Sequence, residues 1–96
     1  MYAIIFEVNT SFVETLSSDE YSKINANIRF FLEKNSFIMK NYNTYFGNEN
    51  ISAVDCFLTI QKLTKKHIEF ANLVSDIQML RIAENCDMLK VINSVL

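Results

Sequence analysis

The chain has 96 residues, half of them hydrophobic, and its nine basic and eleven acidic side chains give a formal net charge of −2. This composition excludes an intrinsically disordered chain, and the length predicts one domain spanning residues 1–96. The acidic balance disfavours tight binding to long nucleic acids, which requires a basic surface. Because the apolar content exceeds what one small core hides, we also expect a homodimer.

The first predicted element is a strand at residues 2–8, an almost uninterrupted apolar run. Its single charge, Glu7, lies near the carboxyl end of the strand, where a carboxylate is costly unless it is paired, solvated or functional. Glu7 is therefore the first candidate site residue. The run is too short for a secretory leader, and no segment is long enough to span a bilayer, so we expect a cytoplasmic protein without a membrane partner.

A helix is predicted at about residues 19–34, after serine and aspartate residues that are typical N-caps. Its apolar stripe comprises Tyr21, Ile24, Ile28, Phe31 and Leu32. Two short strands are predicted next, at residues 37–39 and 43–46, and the turn between them covers residues 40–42. This part of the chain therefore reads as a helix followed by a hairpin.

A second long helix is predicted after the loop at residues 47–50. Its apolar face is expected to include Ile51, Val54, Phe57, Leu58 and Leu63. Residues 67–74 are ambiguous and fit a short helical turn, whereas the alternating residues 76–82 predict a fourth strand. A short C-terminal helix is predicted at residues 86–95. The order β-α-β-β-α-β with a terminal helix is typical of a ferredoxin-like α+β sandwich.

The connections of this pattern predict which residues meet. Right-handed crossovers place strand 1 between strands 3 and 4 and antiparallel to both. The carboxyl end of strand 1 then lies beside the starts of strands 3 and 4, so Glu7, Asn43 and Asp76 should converge in space. An irregular α+β fold is the alternative, because the two middle strands are short.

Three polar residues are candidates for chemistry. Glu7 and Asp76 could form a carboxylate pair that binds a divalent cation such as Mg²⁺ or acts as an acid and a base. The structural alternative is that each is solvated at a strand end or is paired with Arg29 or Arg81. Asn43 could hydrogen-bond a phosphate or a ribose hydroxyl, although polar residues in turns often serve the turn itself.

The other reactive residue types favour structural roles. His67 is the only histidine and is expected at a helix end, where the helix dipole stabilises its cation. Cys56 and Cys86 lack metal-ligand spacing and are predicted to be buried, reduced thiols. The sequence has no glycine-rich phosphate loop and no nucleophile elbow, which disfavours hydrolases and nucleotide-dependent enzymes of those kinds.

Short segments along nearly the whole chain carry a resemblance to a known family. They are Tyr2-Ala3-Ile4 with Phe6, Ile28-Arg29 with Phe31-Leu32-Glu33, Phe37, Tyr45-Phe46-Gly47, Ala53-Val54 and Asp87. The longest segment runs from Val74 to Ile82 and is similar to a V-R-D-I-R-x-x-R-I/V stretch. In order and spacing, the chain resembles the virulence-associated protein D (VapD) family.

The resemblance implies a ferredoxin-like protein that forms a homodimer across its sheet and is related to the small nuclease-like subunit of CRISPR adaptation systems. It also implies a toxin-type endoribonuclease that cuts messenger RNA and is neutralised by an antitoxin. The family's favoured catalytic aspartate falls on Glu7, and the serine of its Q-G-S-V-Y segment falls on Asn43. Asp76 is retained, whereas two family arginines are replaced by Ser75 and Gln78.

Two alternatives to an RNA-cleaving enzyme remain, namely a non-catalytic dimeric adaptor and a degenerate family member that acts only through protein contacts. Glu7 is one methylene longer than the family's aspartate, and small displacements of a catalytic group lower rates strongly. The two missing arginines remove positive charge that would hold a scissile phosphate. The scarcity of basic residues, in turn, disfavours a scaffold for long duplexes.

Overall fold

A computed structural model describes every residue from Met1 to Leu96. The strands are β1 (Tyr2–Val8), β2 (Phe37–Asn41), β3 (Thr44–Gly47) and β4 (Val74–Arg81). The helices are α1 (Thr10–Val13), α2 (Ser18–Lys34), α3 (Ala53–Lys66), α4 (Glu69–Leu73) and α5 (Leu89–Val95). The strands form one sheet in the order β2-β3-β1-β4. This arrangement confirms the predicted ferredoxin-like α+β fold, with β1 between β3 and β4 and antiparallel to both.

Both long helices begin at capping boxes. At the start of α2, the Glu20 backbone N–H donates to Ser17 Oγ at 3.1 Å, and Glu20 Oε1 accepts from the Ser17 backbone N–H at 3.0 Å. The hydrogen bond from the Ser17 backbone lowers the pKa of Glu20 below its usual value. Ser52 and Asp55 form the same arrangement at the start of α3. These reciprocal bonds satisfy backbone donors that have no partner within the helix, which fixes where each helix starts.

The core lies between one face of the sheet and the helices. It comprises Ile4, Phe6, Ile28, Leu32, Phe37, Tyr45, Cys56, Leu63, Phe70 and Leu73. The segment that is ambiguous in the sequence folds as α4 and supplies Phe70 and Leu73 to this core. Helices cover only this face of the sheet. On the other face, Ile38 and Leu80 remain 63% and 45% exposed. We call this second side the open face of the sheet.

The apolar face predicted for α3 is correct at two positions and wrong at three. Leu63 lies in the core and Ile51 packs against it, whereas Val54, Phe57 and Leu58 are 64%, 63% and 43% exposed and Cys56 faces the core in their place. The helix carries apolar residues on two sides, and periodicity alone does not tell which side faces the sheet. The inward side is fixed by packing against β1, so an apolar surface of α3 is left in contact with solvent.

The C-terminal segment packs less than predicted. Cys56 is buried as expected, but Cys86 is exposed and the prediction of a buried thiol there is wrong; both thiols are free. Cys86 precedes α5, which starts at Leu89, three residues later than predicted, and which contains no buried residue. None of the helices, α5 included, is both long enough and apolar enough to cross a bilayer.

Candidate active site

Glu7 and Asp76 lie directly opposite each other on β1 and β4. Directly opposed residues of an antiparallel pair share one face of the sheet, with Cβ atoms about 4.5–5.5 Å apart. Because Phe6 points into the core, Glu7 and its partner point to the open face. Both side chains are exposed. The structure therefore confirms that the two carboxylates meet at one end of the sheet, beside an irregularity in the pairing after Glu7.

Neither carboxylate has a cationic partner. The ion pair of the structure joins Arg29 Nε to Glu33 Oε1 at 2.6 Å within α2. Arg81 lies at the opposite end of the β1–β4 ladder. The alternative in which Glu7 or Asp76 is neutralised by one of these arginines is therefore wrong. The pair is an exposed concentration of negative charge that is free to bind a proton or a cation.

Two neutral donors stand at the positions where the family carries arginines. Gln78 Nε2 donates to Asp76 Oδ2 at 3.2 Å, and Ser75 Oγ donates to the backbone oxygen of Glu7 at 3.3 Å. In the sequence, Ser75 and Gln78 stand out only as replacements of arginines, and neither contact was predicted. Alternation along β4 was the available signal, since it places Gln78 on the same face as Asp76. The Gln78 contact restrains the side chain of Asp76, and the Ser75 contact restrains the backbone of Glu7.

Asn43 joins the start of β3 to the end of β1. The Phe6 backbone N–H donates to the Asn43 backbone oxygen at 3.0 Å, and Asn43 Nδ2 donates to the Phe6 backbone oxygen at 2.9 Å. Asn43 Oδ1 accepts a hydrogen bond from Thr44 Oγ1 at 3.2 Å. Asn43 therefore lies beside Glu7 as predicted, but its amide group is engaged with the protein. This geometry makes it a positioning residue for the strand that carries Glu7.

Replacing Asn43 by alanine should lower the free energy of unfolding by about 1–3 kcal/mol, because the Phe6 carbonyl loses its side-chain donor. Urea denaturation at equilibrium measures this change. Asn41→Ala is the matched control, since its Oδ1 accepts only a local bond from the Asn43 backbone N–H at 3.2 Å. Equal losses in the two variants would contradict a cross-strand role for the Asn43 amide.

The rest of the open face is largely apolar. Ile5 and Leu80 lie on it, and Lys40 Nζ stands 5.2 Å from the centroid of the Phe46 ring. Lys40 is the only cationic side chain that the strands place on this face. The face therefore offers carboxylates at one end and an aromatic surface with a single positive charge towards its β2 edge.

His67 lies away from the carboxylate pair, on the helix side of the sheet. It is the C-cap residue of α3, as the sequence predicts for a helix end. Its ring packs edge-to-face against Phe31 with centroids 6.1 Å apart, and its backbone N–H donates to the Leu63 oxygen at 2.8 Å. These contacts account for His67 structurally.

The chain contains no group of three or more His, Cys, Asp or Glu side chains arranged to hold a metal ion. Mg²⁺, however, is commonly held by one or two carboxylates, with water and substrate phosphate in the remaining positions. Glu7 and Asp76 fit this mode, because they are adjacent, exposed oxygen donors without a competing cation. The site can therefore accept either a proton or a hydrated divalent ion.

Two known proteins are similar to this chain over its full length, although no protein-family model matches it. One is named endoribonuclease VapD 2, from Riemerella anatipestifer; it is 40% identical over 94 residues, which cover 97% of this chain and all of the relative. The other is named endoribonuclease VapD homolog, from Helicobacter pylori; it is 38% identical over 96 residues, which cover both chains completely. Both similarities extend over the whole sheet, including the end that carries the carboxylates.

Proposed function

The chain belongs to the VapD family, and on this basis we propose that it is an endoribonuclease that cuts single-stranded or messenger RNA as the toxin of a toxin–antitoxin pair. The names of the two full-length relatives support an RNA-cleaving activity. The observation that carries the proposal is the exposed pair of Glu7 and Asp76, which has no cationic partner and lies on the open face. An RNA strand has access to both carboxylates there.

In the first of two routes to cleavage, Glu7 acts as a general base. Its carboxylate takes the proton of a ribose 2′-hydroxyl, the 2′ oxygen attacks the adjacent phosphorus, and the bond from phosphorus to the 5′ oxygen breaks. Protonated Asp76 or a water molecule supplies the proton that the leaving 5′ oxygen needs. The products carry a 2′,3′-cyclic phosphate and a 5′-hydroxyl. A positioned base of this kind accelerates a reaction by about 10²–10⁴.

In the second route, Glu7 and Asp76 bind a divalent cation such as Mg²⁺. When bound, such an ion would supply Lewis-acid chemistry, polarising phosphoryl oxygens and activating a water molecule as the nucleophile. The two carboxylates would hold the ion on the open face, where Gln78 restrains Asp76 through its amide. Water would attack the phosphorus in place of the 2′ oxygen, one of the two bridging phosphorus–oxygen bonds would break, and the leaving oxygen would take up a proton as the water loses one, so the products of this route would carry no cyclic phosphate.

The surroundings of the pair favour brief contact with a few nucleotides. A base stacked on an aromatic side chain contributes about 1–3 kcal/mol, and Phe46 offers such a surface with Lys40 close by. With one cation on the open face, the charge available for phosphates is small, in keeping with the net charge of −2. An antitoxin that covers this face would block access to both carboxylates.

Cleavage of defined RNAs, with and without a divalent ion and a chelator, tests the proposal. We expect cuts in single-stranded RNA and none in duplex DNA. Cyclic phosphate ends that persist with the chelator identify the first route, and loss of activity with the chelator identifies the second. If the folded protein cuts no RNA under any of these conditions, the proposal fails and the non-catalytic adaptor becomes the better hypothesis.

A further inference from the structure

A pocket with polar and aromatic walls lies between α2 and the hairpin of β2 and β3, on the helix side of the sheet. We call it the hairpin pocket. Its volume of about 560 Å³ falls within the roughly 300–1,000 Å³ that is typical of sites for small molecules. The side chains that give it its chemical character are Asn25, Arg29, Phe30, Glu33, Tyr42 and Tyr45.

The hairpin pocket contains a hydroxyl group that no protein atom satisfies. Tyr45 is 2% exposed, and its hydroxyl forms no hydrogen bond within the chain. Because no fully buried side-chain oxygen or nitrogen of the structure lacks a partner, this hydroxyl keeps its access to water through the pocket. Burial raises the pKa of the Tyr45 phenol, so it keeps its proton at neutral pH. A ligand in the pocket therefore meets a hydrogen-bond donor.

The ion pair of α2 forms a wall of the pocket and has hydrogen-bonding groups to spare. Arg29 Nε donates to Glu33 Oε1 at 2.6 Å. This contact uses one of the five N–H groups of the guanidinium and one lone pair of the carboxylate. The charges of both residues act on the Tyr45 phenol, which places its oxygen near the pair. An ion pair four residues apart ordinarily serves its own helix, but this one holds donors and acceptors side by side at a cavity.

Two exposed aromatic rings also line the pocket. Phe30 and Tyr42 are 68% and 70% exposed, and neither belongs to the core or packs against it. The unstacked bases of single-stranded RNA bind proteins by stacking on such rings while polar side chains read their edges. The hairpin pocket therefore combines the two kinds of contact that a single base needs.

We propose that the hairpin pocket binds one unpaired base of the RNA and that guanine is the base it selects. This inference rests on the proposed function, since it takes RNA as the ligand. Guanine presents two donors, N1–H and the N2 amino group, beside the acceptor O6. The Glu33 carboxylate accepts from the donors, and Arg29 or the Tyr45 hydroxyl donates to O6. Adenine has an acceptor at N1, which the carboxylate repels.

The hairpin pocket and the carboxylate pair lie at the same end of the sheet. Tyr42 is in the turn between β2 and β3, and Asn43, the next residue, is hydrogen-bonded to Phe6. Phe6 lines the pocket and directly precedes Glu7 in β1. An RNA strand that passes around this turn holds one base in the pocket while its neighbouring nucleotides extend towards the open face.

Binding of short RNAs tests the pocket separately from cleavage. The full chain carries Glu7→Gln to prevent cutting, and fluorescence anisotropy measures its affinity for labelled oligouridylates whose central base is guanine, adenine, cytosine or uracil. We expect the guanine RNA to bind about 5- to 150-fold more tightly than the others, as is typical of one bidentate base contact. An RNA with inosine, which lacks the N2 amino group, should have intermediate affinity.

Further substitutions in the same protein separate the reading of the base from stacking. Glu33→Gln removes the carboxylate and should bring the ratio of guanine to uracil affinities close to one. Tyr42→Leu should weaken the binding of every RNA while leaving that ratio unchanged, because any base can stack. Glu14→Gln is the matched control, since Glu14 is exposed and lies outside the pocket, and it should change neither quantity. Circular dichroism checks that each variant is folded.

Two results would overturn the guanine pocket, namely equal affinities for the four RNAs and a guanine preference that persists in the Glu33→Gln variant. Its failure is distinguishable from failure of the proposed cleavage. Guanine-selective binding by a protein that cuts no RNA retains the pocket and removes the ribonuclease. Cleavage by a protein that binds all four bases equally retains the ribonuclease and removes the pocket.

Discussion

Glu7→Gln is expected to lower the rate of RNA cleavage by about 100- to 10,000-fold without unfolding the protein. The amide keeps the shape of the side chain but neither accepts the ribose proton nor binds a divalent cation as a carboxylate does. Glu7 is exposed and forms no side-chain hydrogen bond or ion pair within the chain, so its replacement leaves the packing intact. Initial cleavage rates, with thermal unfolding recorded on the same samples, measure both effects.

Glu49→Gln is the matched control for charge, because Glu49 is exposed in the loop after β3, at the other end of that strand. It should cut at the parental rate. Glu7→Asp installs the residue usual in the family and should preserve or raise the rate. If Glu7→Gln cuts at the parental rate, in a preparation free of contaminating nuclease, then Glu7 is a solvated strand-end carboxylate and the adaptor hypothesis leads.

The position of the candidate site followed from the order of the elements rather than from any local motif. The apolar run of β1 and the alternation in β4 identified two strands, and the crossover rule placed them side by side. Glu7 and Asp76 could then be paired although 69 positions separate them, and the register confirms the pair. A topology of this kind constrains strand ends strongly, because each strand has only two neighbours.

Features that depend on packing were harder to predict. The core-facing side of α3 is decided by contact with the sheet, so the exposed positions of Phe57 and Leu58 were not visible in the sequence. The short helix α1 has no counterpart among the predicted elements, since its four residues hold no periodic pattern. Asn9 gave a usable signal there, because its side chain accepts the Phe12 backbone N–H at 3.2 Å as an N-cap.

Side-chain hydrogen bonds also lay beyond the sequence. Asn43 was a candidate for binding a phosphate or a ribose hydroxyl, with a structural role in the turn as the alternative, and its amide donates to the Phe6 carbonyl across the strands. An asparagine in a tight turn has several backbone groups within reach, and only the folded geometry selects among them. The sequence therefore located the residue correctly but did not reveal what its amide binds.

Phe6→Ala should lower the free energy of unfolding by about 3–5 kcal/mol, a large part of the roughly 5–15 kcal/mol typical of a small domain. Phe6 is 2% exposed, its ring meets Phe70 edge-on with centroids 5.8 Å apart, and Tyr45 stacks beside it at 6.5 Å. Removing the ring leaves a cavity where β1, β3 and α4 meet. Urea denaturation and the midpoint of thermal unfolding measure the loss.

Ile5→Ala is the control for this prediction, because Ile5 is only half-buried and lies on the open face. Ile5→Ala should lower the free energy of unfolding clearly less than Phe6→Ala does. Equal losses in the two variants would contradict the assignment of the core to the helix side of the sheet. Phe6 and Glu7 are adjacent but point to opposite faces of β1. The Phe6→Ala variant should therefore be less stable, and its activity should fall only to the extent that the protein unfolds. The Glu7→Gln variant should lose activity without losing stability. The two variants together separate the chemistry of the open face from the packing of the core.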